Sequence, residues 1–201
     1  LGVLHYELGS GGYADAALRA REALDCLDAA GDARGRGHAL RLLGRATRAR
    51  GRLGDAERLL SEAEKLLAAC GHGDDVAIAR ASRADLLRLS GQLDQAWAVY
   101  QEVLAIGLED AMTEANVRKD LGEIALARDD LATAKAYYES AEALASAAGG
   151  RAIVAHCRFG QARLAQRRQR SAAATELARQ AADLFERLGD LDRAYEARAL
   201  S

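Results

Sequence analysis

The sequence predicts an all-α protein, an α-solenoid of about five stacked antiparallel helix hairpins. Three observations predict it. An apolar face with helical spacing returns along the chain at a step close to 40 residues. A glycine follows each return. No proline stands anywhere in the 201 residues, and aromatics make up only 4%, so alanine and leucine must form the core. Both are strong helix formers, and nothing in the chain imposes a break.

The repeating element is plainest in Ala56, Leu59, Leu60, Ala63, Leu66, Leu67 and Cys70, which share one face of a helix. The same register holds at Ala134, Tyr137, Tyr138, Ala141, Leu144, Ala145 and Ala148. It holds again at Ala174, Leu177, Ala178, Ala181, Leu184, Phe185 and Leu188. One earlier copy starts at Ala16, with Arg19 as a polar intruder and Cys26 on the apolar face. Another starts at Ala96 and continues through Val99, Tyr100, Val103 and Ile106. Successive starts are 40, 40, 38 and 40 residues apart. Gly31, Gly71, Gly107, Gly149 and Gly189 close these helices, each able to take the left-handed conformation of a C-terminal cap.

Before each of these B helices comes a tight turn and a residue expected to be buried at its corner. The turns read Gly11-Gly12-Tyr13, Gly51-Arg52-Leu53, Gly91-Gln92-Leu93 and Asp129-Asp130-Leu131; the fifth copy, Gln169-Arg170-Ser171, lacks the signal. Before the turn lies a second helical stretch, such as His38 to Arg50, with Leu40, Leu43, Gly44 and Thr47 on one face. Each unit is therefore helix A, turn, helix B and a short link, and neither helix can bury its face alone. Gly44, Ala84, Gly122 and Ala162 stand 12 residues before each helix B start and let the two helices approach closely. In the fifth unit the spacing selects Ala162 over the Phe159-Gly160 pair.

The units run at about 1–32, 33–72, 73–108, 109–150 and 151–190, with a partial sixth helix at 191–201, in a single solenoid over 1–201. The register puts Leu1 inside a helix A. It puts Ser201 inside a sixth helix A marked by Leu191, Ala194, Tyr195 and Arg198, which predicts a piece of a longer array. Bare apolar faces at such ends predict a homodimer through end helices.

The pattern resembles the tetratricopeptide repeat (TPR). The signature is a Leu-Gly pair in helix A, a turn glycine and Ala-x3-aromatic-x2-Ala in helix B. It is met by Leu43-Gly44, Gly51, Ala56, Leu60 and Ala63. Gly91, Ala96, Tyr100 and Val103 follow it, as do Leu121-Gly122, Ala134, Tyr138 and Ala141. The period near 40 instead of 34, the missing helix A tryptophan and the missing closing proline are departures. Longer, proline-free units of this kind are similar to those of large bacterial regulators of the maltose-regulator type and their ATPase-containing relatives. The resemblance implies a right-handed solenoid that serves as a sensor or partner-binding module beside catalytic or DNA-binding domains.

It also implies that helix A lines a concave surface. Positions 2, 5, 9 and 12, counted with the small residue as position 8, point into it. The residues there are His38, Arg41, Arg45 and Arg48; Ile78, Ala81, Asp85 and Arg88; Asn116, Lys119, Glu123 and Leu126; and His156, Phe159, Arg163 and Gln166. Seven arginines and no acid lie between Ala33 and Gly54, and six arginines and no acid between Arg151 and Thr175. Arg41, Arg45 and Arg48 share one helical face. Arginine forks suit carboxylates and phosphates, which points to an acidic peptide or anion. The competing reading is a solvated face whose arginines pair with Glu57, Asp85 or Asp120 of neighbouring helices.

Charge and motifs narrow the function. With 28 basic and 30 acidic side chains the net charge is −2, which gives no general attraction to nucleic acid or anionic membrane. No apolar run approaches the roughly 18–20 residues of a membrane span. Cys26, Cys70 and Cys157 are too few and too irregular for a disulfide framework and read as reduced, mostly buried thiols of a cytoplasmic protein. Cys70-Gly71-His72 and His156-Cys157 lie too far apart for the four convergent ligands of zinc, so neither metal nor cofactor is expected. No phosphate loop, nucleophile elbow or HExxH is present, and the chain is not read as an enzyme. Two functions remain: a scaffold holding a protein or peptide segment, or a regulatory sensor taking a small ligand or signalling peptide.

Overall fold

In the computed structural model the described residues are 9–200. They form α1 (Gly9–Ala30), α2 (Ala33–Ala49), α3 (Leu53–Cys70), α4 (Gly73–Leu89) and α5 (Leu93–Ile106). These are followed by α6 (Ala111–Ala127), α7 (Leu131–Ala147), α8 (Arg151–Arg167), α9 (Ser171–Arg187) and α10 (Leu191–Arg198). No strand occurs among the described residues. The helices fall into two compact units, residues 1–108 with α1–α5 and residues 109–201 with α6–α10. Within each unit every helix packs on the next, in the stacked-hairpin arrangement of an α-solenoid.

The hairpin turns are built from one motif. At the end of α2, Gly51 takes φ +77, its N–H donates to the Arg48 carbonyl at 2.9 Å, and the Arg52 N–H reaches back to the Thr47 carbonyl at 3.2 Å. This is a Schellman closure, which satisfies the carbonyls that a helix end leaves free. Asp129 and Gln169 take the same left-handed conformation, at φ +60 and +57, with Asp130 and Arg170 making the long return bond to Ala125 and Ala165. The fifth turn, which lacks a sequence signal, is therefore made like the others. Asp130 and Asp190 then cap the following helices by accepting from the N–H of Thr133 and Arg193.

The expected faces of the B helices form the core. Ala56, Leu60, Ala63 and Leu67 of α3 are fully buried, as are Ala134, Tyr138, Ala141 and Ala145 of α7. Each large apolar side chain so buried stabilises the fold by about 1.5–3 kcal/mol. Alanines at the contact positions leave little to fill, which is how a chain poor in aromatics still closes its core.

Three expectations are corrected. The corner residues are not buried: Leu53 is 37% exposed, and Tyr13, Leu93 and Leu131 are half-buried. A short turn on the rim covers only one side of the residue that follows it. The turn expected at Gly11-Gly12 is absent, because α1 runs unbroken from Gly9; a glycine pair permits a turn without requiring one. Cys26 is exposed and Cys70 half-buried, leaving Cys157 as the buried thiol. The face of α1 is rotated by about one residue, with Ala16, Ala17 and Ala20 packed on Leu43 and Ala46 of α2. That rotation keeps Arg19 in solvent beside Glu22, 3.5 Å away, and carries Cys26 outward. The helix A expected at the start of the first unit lies for the most part outside the described residues.

Candidate functional site

The A helices of each unit are joined side by side through ion pairs. In the first unit the N-terminal halves of α2 and α4 meet at Asp75, which is 4% exposed. Arg34 donates to it twice, Nε to Oδ2 at 2.5 Å and Nη2 to Oδ1 at 3.2 Å. His38 Nε2 lies 3.1 Å from Oδ1. The Arg34 hydrogen bond holds the Asp75 carboxyl below the usual carboxylate range, against the opposing effect of burial. Burial in turn pushes the His38 imidazole below its ordinary value, with Asp75 opposing.

Further along the same helices Asp85 is the centre. Tyr100 of α5 donates its hydroxyl to Asp85 Oδ1 at 2.8 Å. Arg48 Nη1 stands 3.0 Å from Oδ2, and Arg88 Nη2 stands 3.9 Å from Oδ1. Arg48 and Asp85 are only 11% and 18% exposed as side chains, so the pair is partly desolvated and stronger than a surface contact. Arg41 and Arg45 lie half-buried between these two carboxylate centres.

The second unit repeats the scheme with other residues. Arg163 Nη1 of α8 is 2.9 Å from Glu123 Oε2 of α6. Beside Glu123 lies the Tyr138 hydroxyl, buried without a well-formed hydrogen bond and strongly raised in pKa, chiefly by burial. Lys119 donates to Asn116 Oδ1 at 3.4 Å and sits 3.3 Å from Asp120 Oδ1. Burial pushes the Cys157 thiol up to about 12, so it is no nucleophile. Among the described residues no three His, Cys, Asp or Glu side chains are grouped to hold a metal ion. Among them, too, no helix is long and apolar enough to cross a membrane.

Hairpins at this spacing, with small residues at the helix A contact and left-handed turns, match a known family described as the MalT-like TPR region, over residues 9–198. The chain belongs to this family. The crystal structure of BtubC (BKLC) from P. vanneervenii has a similar fold, with a TM-score of 0.64 at 17% identity, covering 95% of this chain and 89% of that one. No curated protein matches.

In this MalT-like TPR region the positions expected on the binding face divide by unit. In the first, His38, Arg48, Asp85 and Arg88 gather at the two carboxylate centres, with Arg41 and Arg45 on the same face of α2. In the second, Asn116 and Lys119 contact each other, and Glu123 contacts Arg163. Two expected positions are core instead. Leu126 is 2% exposed, and Phe159 is drawn into the cluster around Phe185, edge to face at 6.3 Å. Arg163 lies over the Phe159 ring at 6.0 Å, so the charge stays outside while the ring is buried.

Sequence reasoning missed two clamps between a B helix and the next A helix. Glu64 of α3 receives Arg80 Nε at 3.1 Å and also Arg83; Glu142 of α7 receives Arg158 Nε and Gln161 Nε2, each at 2.9 Å. The signal was available. All three positions recur at the same offset of 78 that relates the two helix B faces.

Proposed function

We propose that this chain is a non-catalytic interaction module of a larger bacterial regulatory protein, working in the cytoplasm. It binds a protein or peptide segment through the helix A side chains of its hairpins. The observation that carries this reading is the family match over residues 9–198, since stacked TPR-type hairpins commonly serve as interaction surfaces. The polar, half-buried rows on α2, α4, α6 and α8 support it. The same reading gives the chain a homodimer through α10, whose Leu191 and Tyr195 are 68% and 78% exposed. Monomeric sedimentation at high concentration overturns that part.

The test is a capture experiment with the whole chain as bait. A captured partner should lose affinity for the variant His38→Ala/Arg41→Ala/Lys119→Ala and keep it for Arg58→Ala on the outer side of α3. Equal affinity for both variants overturns the helix A reading. Measurable turnover by the chain overturns the non-catalytic one.

A further inference from the structure

Tyr100 and Tyr138 each face a carboxylate of their own helix A, Asp85 and Glu123. Each carboxylate also meets an arginine of a neighbouring helix A, Arg48 and Arg163. The two triads are not equally complete. Asp85 accepts from Tyr100 on Oδ1 at 2.8 Å and from Arg48 on Oδ2 at 3.0 Å. Glu123 accepts from Arg163 Nη1 on Oε2 at 2.9 Å, while the Tyr138 hydroxyl, wholly buried, makes no well-formed bond. A hydroxyl in that state costs free energy, because it has left water without a replacement partner. It cannot move to find one, since its ring is packed against Gly160 of α8 and Gly122 of α6. Glu123 can, by turning about its own side-chain torsions. Arg163 has capacity left as well. It gives Glu123 one nitrogen, whereas Arg34 gives Asp75 two. Its side chain is 41% exposed, and its guanidinium is steadied over the Phe159 ring at 6.0 Å. A carboxylate arriving from solvent can take both prongs of that fork, a stronger pairing than the single bond to Glu123.

We infer that Arg163 is the docking point for a carboxylate of the bound partner, and that Glu123 passes to the Tyr138 hydroxyl when it docks. The inference rests on the interaction reading above and names the chemistry the partner brings to the second unit. The incoming carboxylate replaces Glu123 on the guanidinium, and Glu123, still ionised, accepts from the Tyr138 hydroxyl. The second unit thereby gains the tyrosine–carboxylate bond that Tyr100 and Asp85 already form in the first. Arg163 exchanges one carboxylate for another, and Tyr138 gains a partner. Tyr138 is therefore a positioning residue: it touches no atom of the ligand, yet its hydroxyl favours the bound arrangement over the unbound one.

The experiment titrates the whole chain with a short alanine-rich peptide carrying a central glutamate, with its glutamine counterpart, and with free glutarate. Tyrosine ring-carbon resonances report the Tyr138 hydroxyl, its signal assigned by its loss in Tyr138→Phe. The glutamate peptide should bind more tightly than the glutamine peptide, and the Tyr138 signal should move as it binds. Tyr138→Phe should weaken the glutamate peptide by about tenfold, the worth of a hydrogen bond to a charged group, and leave the glutamine peptide unchanged. Arg163→Gln should abolish the preference between the peptides. Arg163→Lys should keep part of it even where the glutamine variant fails to fold. Arg179→Gln on α9 should change nothing. Equal binding of the two peptides, undiminished binding by Tyr138→Phe, or a Tyr138 signal that stays in place on binding overturns the inference. Movement with glutarate as large as with the peptide makes a free acid the source of the carboxylate; movement with the peptide alone makes it a chain segment. A captured partner that loses affinity for His38→Ala/Arg41→Ala/Lys119→Ala but binds Arg163→Lys and Tyr138→Phe as tightly as the parent overturns the inference, while the interaction reading stands.

Discussion

The ring of Tyr138 rests directly against Gly160, so closely that a Cβ at that glycine would overlap the phenol carbons. A Cβ on Gly122 would come within 2.9 Å of the same ring from α6. Tyr138 is fully buried and has nowhere to retreat. Gly160→Ala should therefore destabilise the second unit by about 2 kcal/mol, the cost of overpacking. Gly54→Ala on α3, where a Cβ meets nothing, should stabilise by about 0.5–1 kcal/mol through helix propensity. Urea unfolding of the two variants checks both signs; a neutral Gly160→Ala would show that the contact is slack.

Asp129 and Gln169 hold left-handed turn conformations that glycine holds at Gly51 and Gly91. Side chains other than glycine are strained there by about 1 kcal/mol. Gln169→Gly should raise the thermal midpoint, and Asp129→Gly should do so despite losing its exposed contact with Arg167, since such surface pairs contribute little. A lowered midpoint for Gln169→Gly would mean that the turn is not strained.

Tyr100 and Tyr138 occupy the same register position but differ at the hydroxyl. Tyr100 donates to Asp85 at 2.8 Å, whereas the Tyr138 hydroxyl is buried without a well-formed bond. Tyr100→Phe should cost about 1–2 kcal/mol, because it strips a donor from a partly buried carboxylate. Tyr138→Phe should be neutral or stabilising. Denaturant midpoints for the pair decide, and equal losses would contradict the assignment.

His38 and Asp75 give the first unit a pH dependence with a defined sign. The folded imidazole has a lowered pKa, so below its ordinary value near 6.5 the unfolded chain binds the proton and the folded chain resists it. Stability should fall as pH drops from about 7 through 6, and His38→Gln should flatten that slope. The folded Asp75 carboxyl is also lowered, so its contribution is present above the ordinary carboxylate value near 4 and is lost as pH falls further. Asp75→Asn should cost about 2 kcal/mol at neutral pH, where Arg34 and His38 lose the charge they surround. An unchanged slope in His38→Gln would remove this imidazole from the account.

Reading the chain found the hairpins because helical periodicity is local: Ala56, Leu60, Ala63 and Leu67 announce a buried face wherever they fold. It found the closing glycines for the same reason. It misplaced Cys26 and the corner leucines, because exposure at an edge depends on what packs beyond it. It named the arginine row on α2 and offered Asp85 among the acids that pair with it, but it missed Asp75 beside Arg34 and His38. The pairing of Arg48 with Asp85, 37 residues away, is set by how two hairpins stack and not by any local pattern.

The sequence by itself determined the helix class, the hairpin period and the buried faces, since each follows from side-chain spacing on a single helix. Only the tertiary structure decided which charges are matched within the fold. It placed Asp75 and Asp85 at two ends of α4 opposite cations of α2, and it turned Phe159 from an expected contact position into core beside Phe185. The physical reason is that burial and charge pairing depend on the distance between helices, which a periodic sequence leaves open until the hairpins pack.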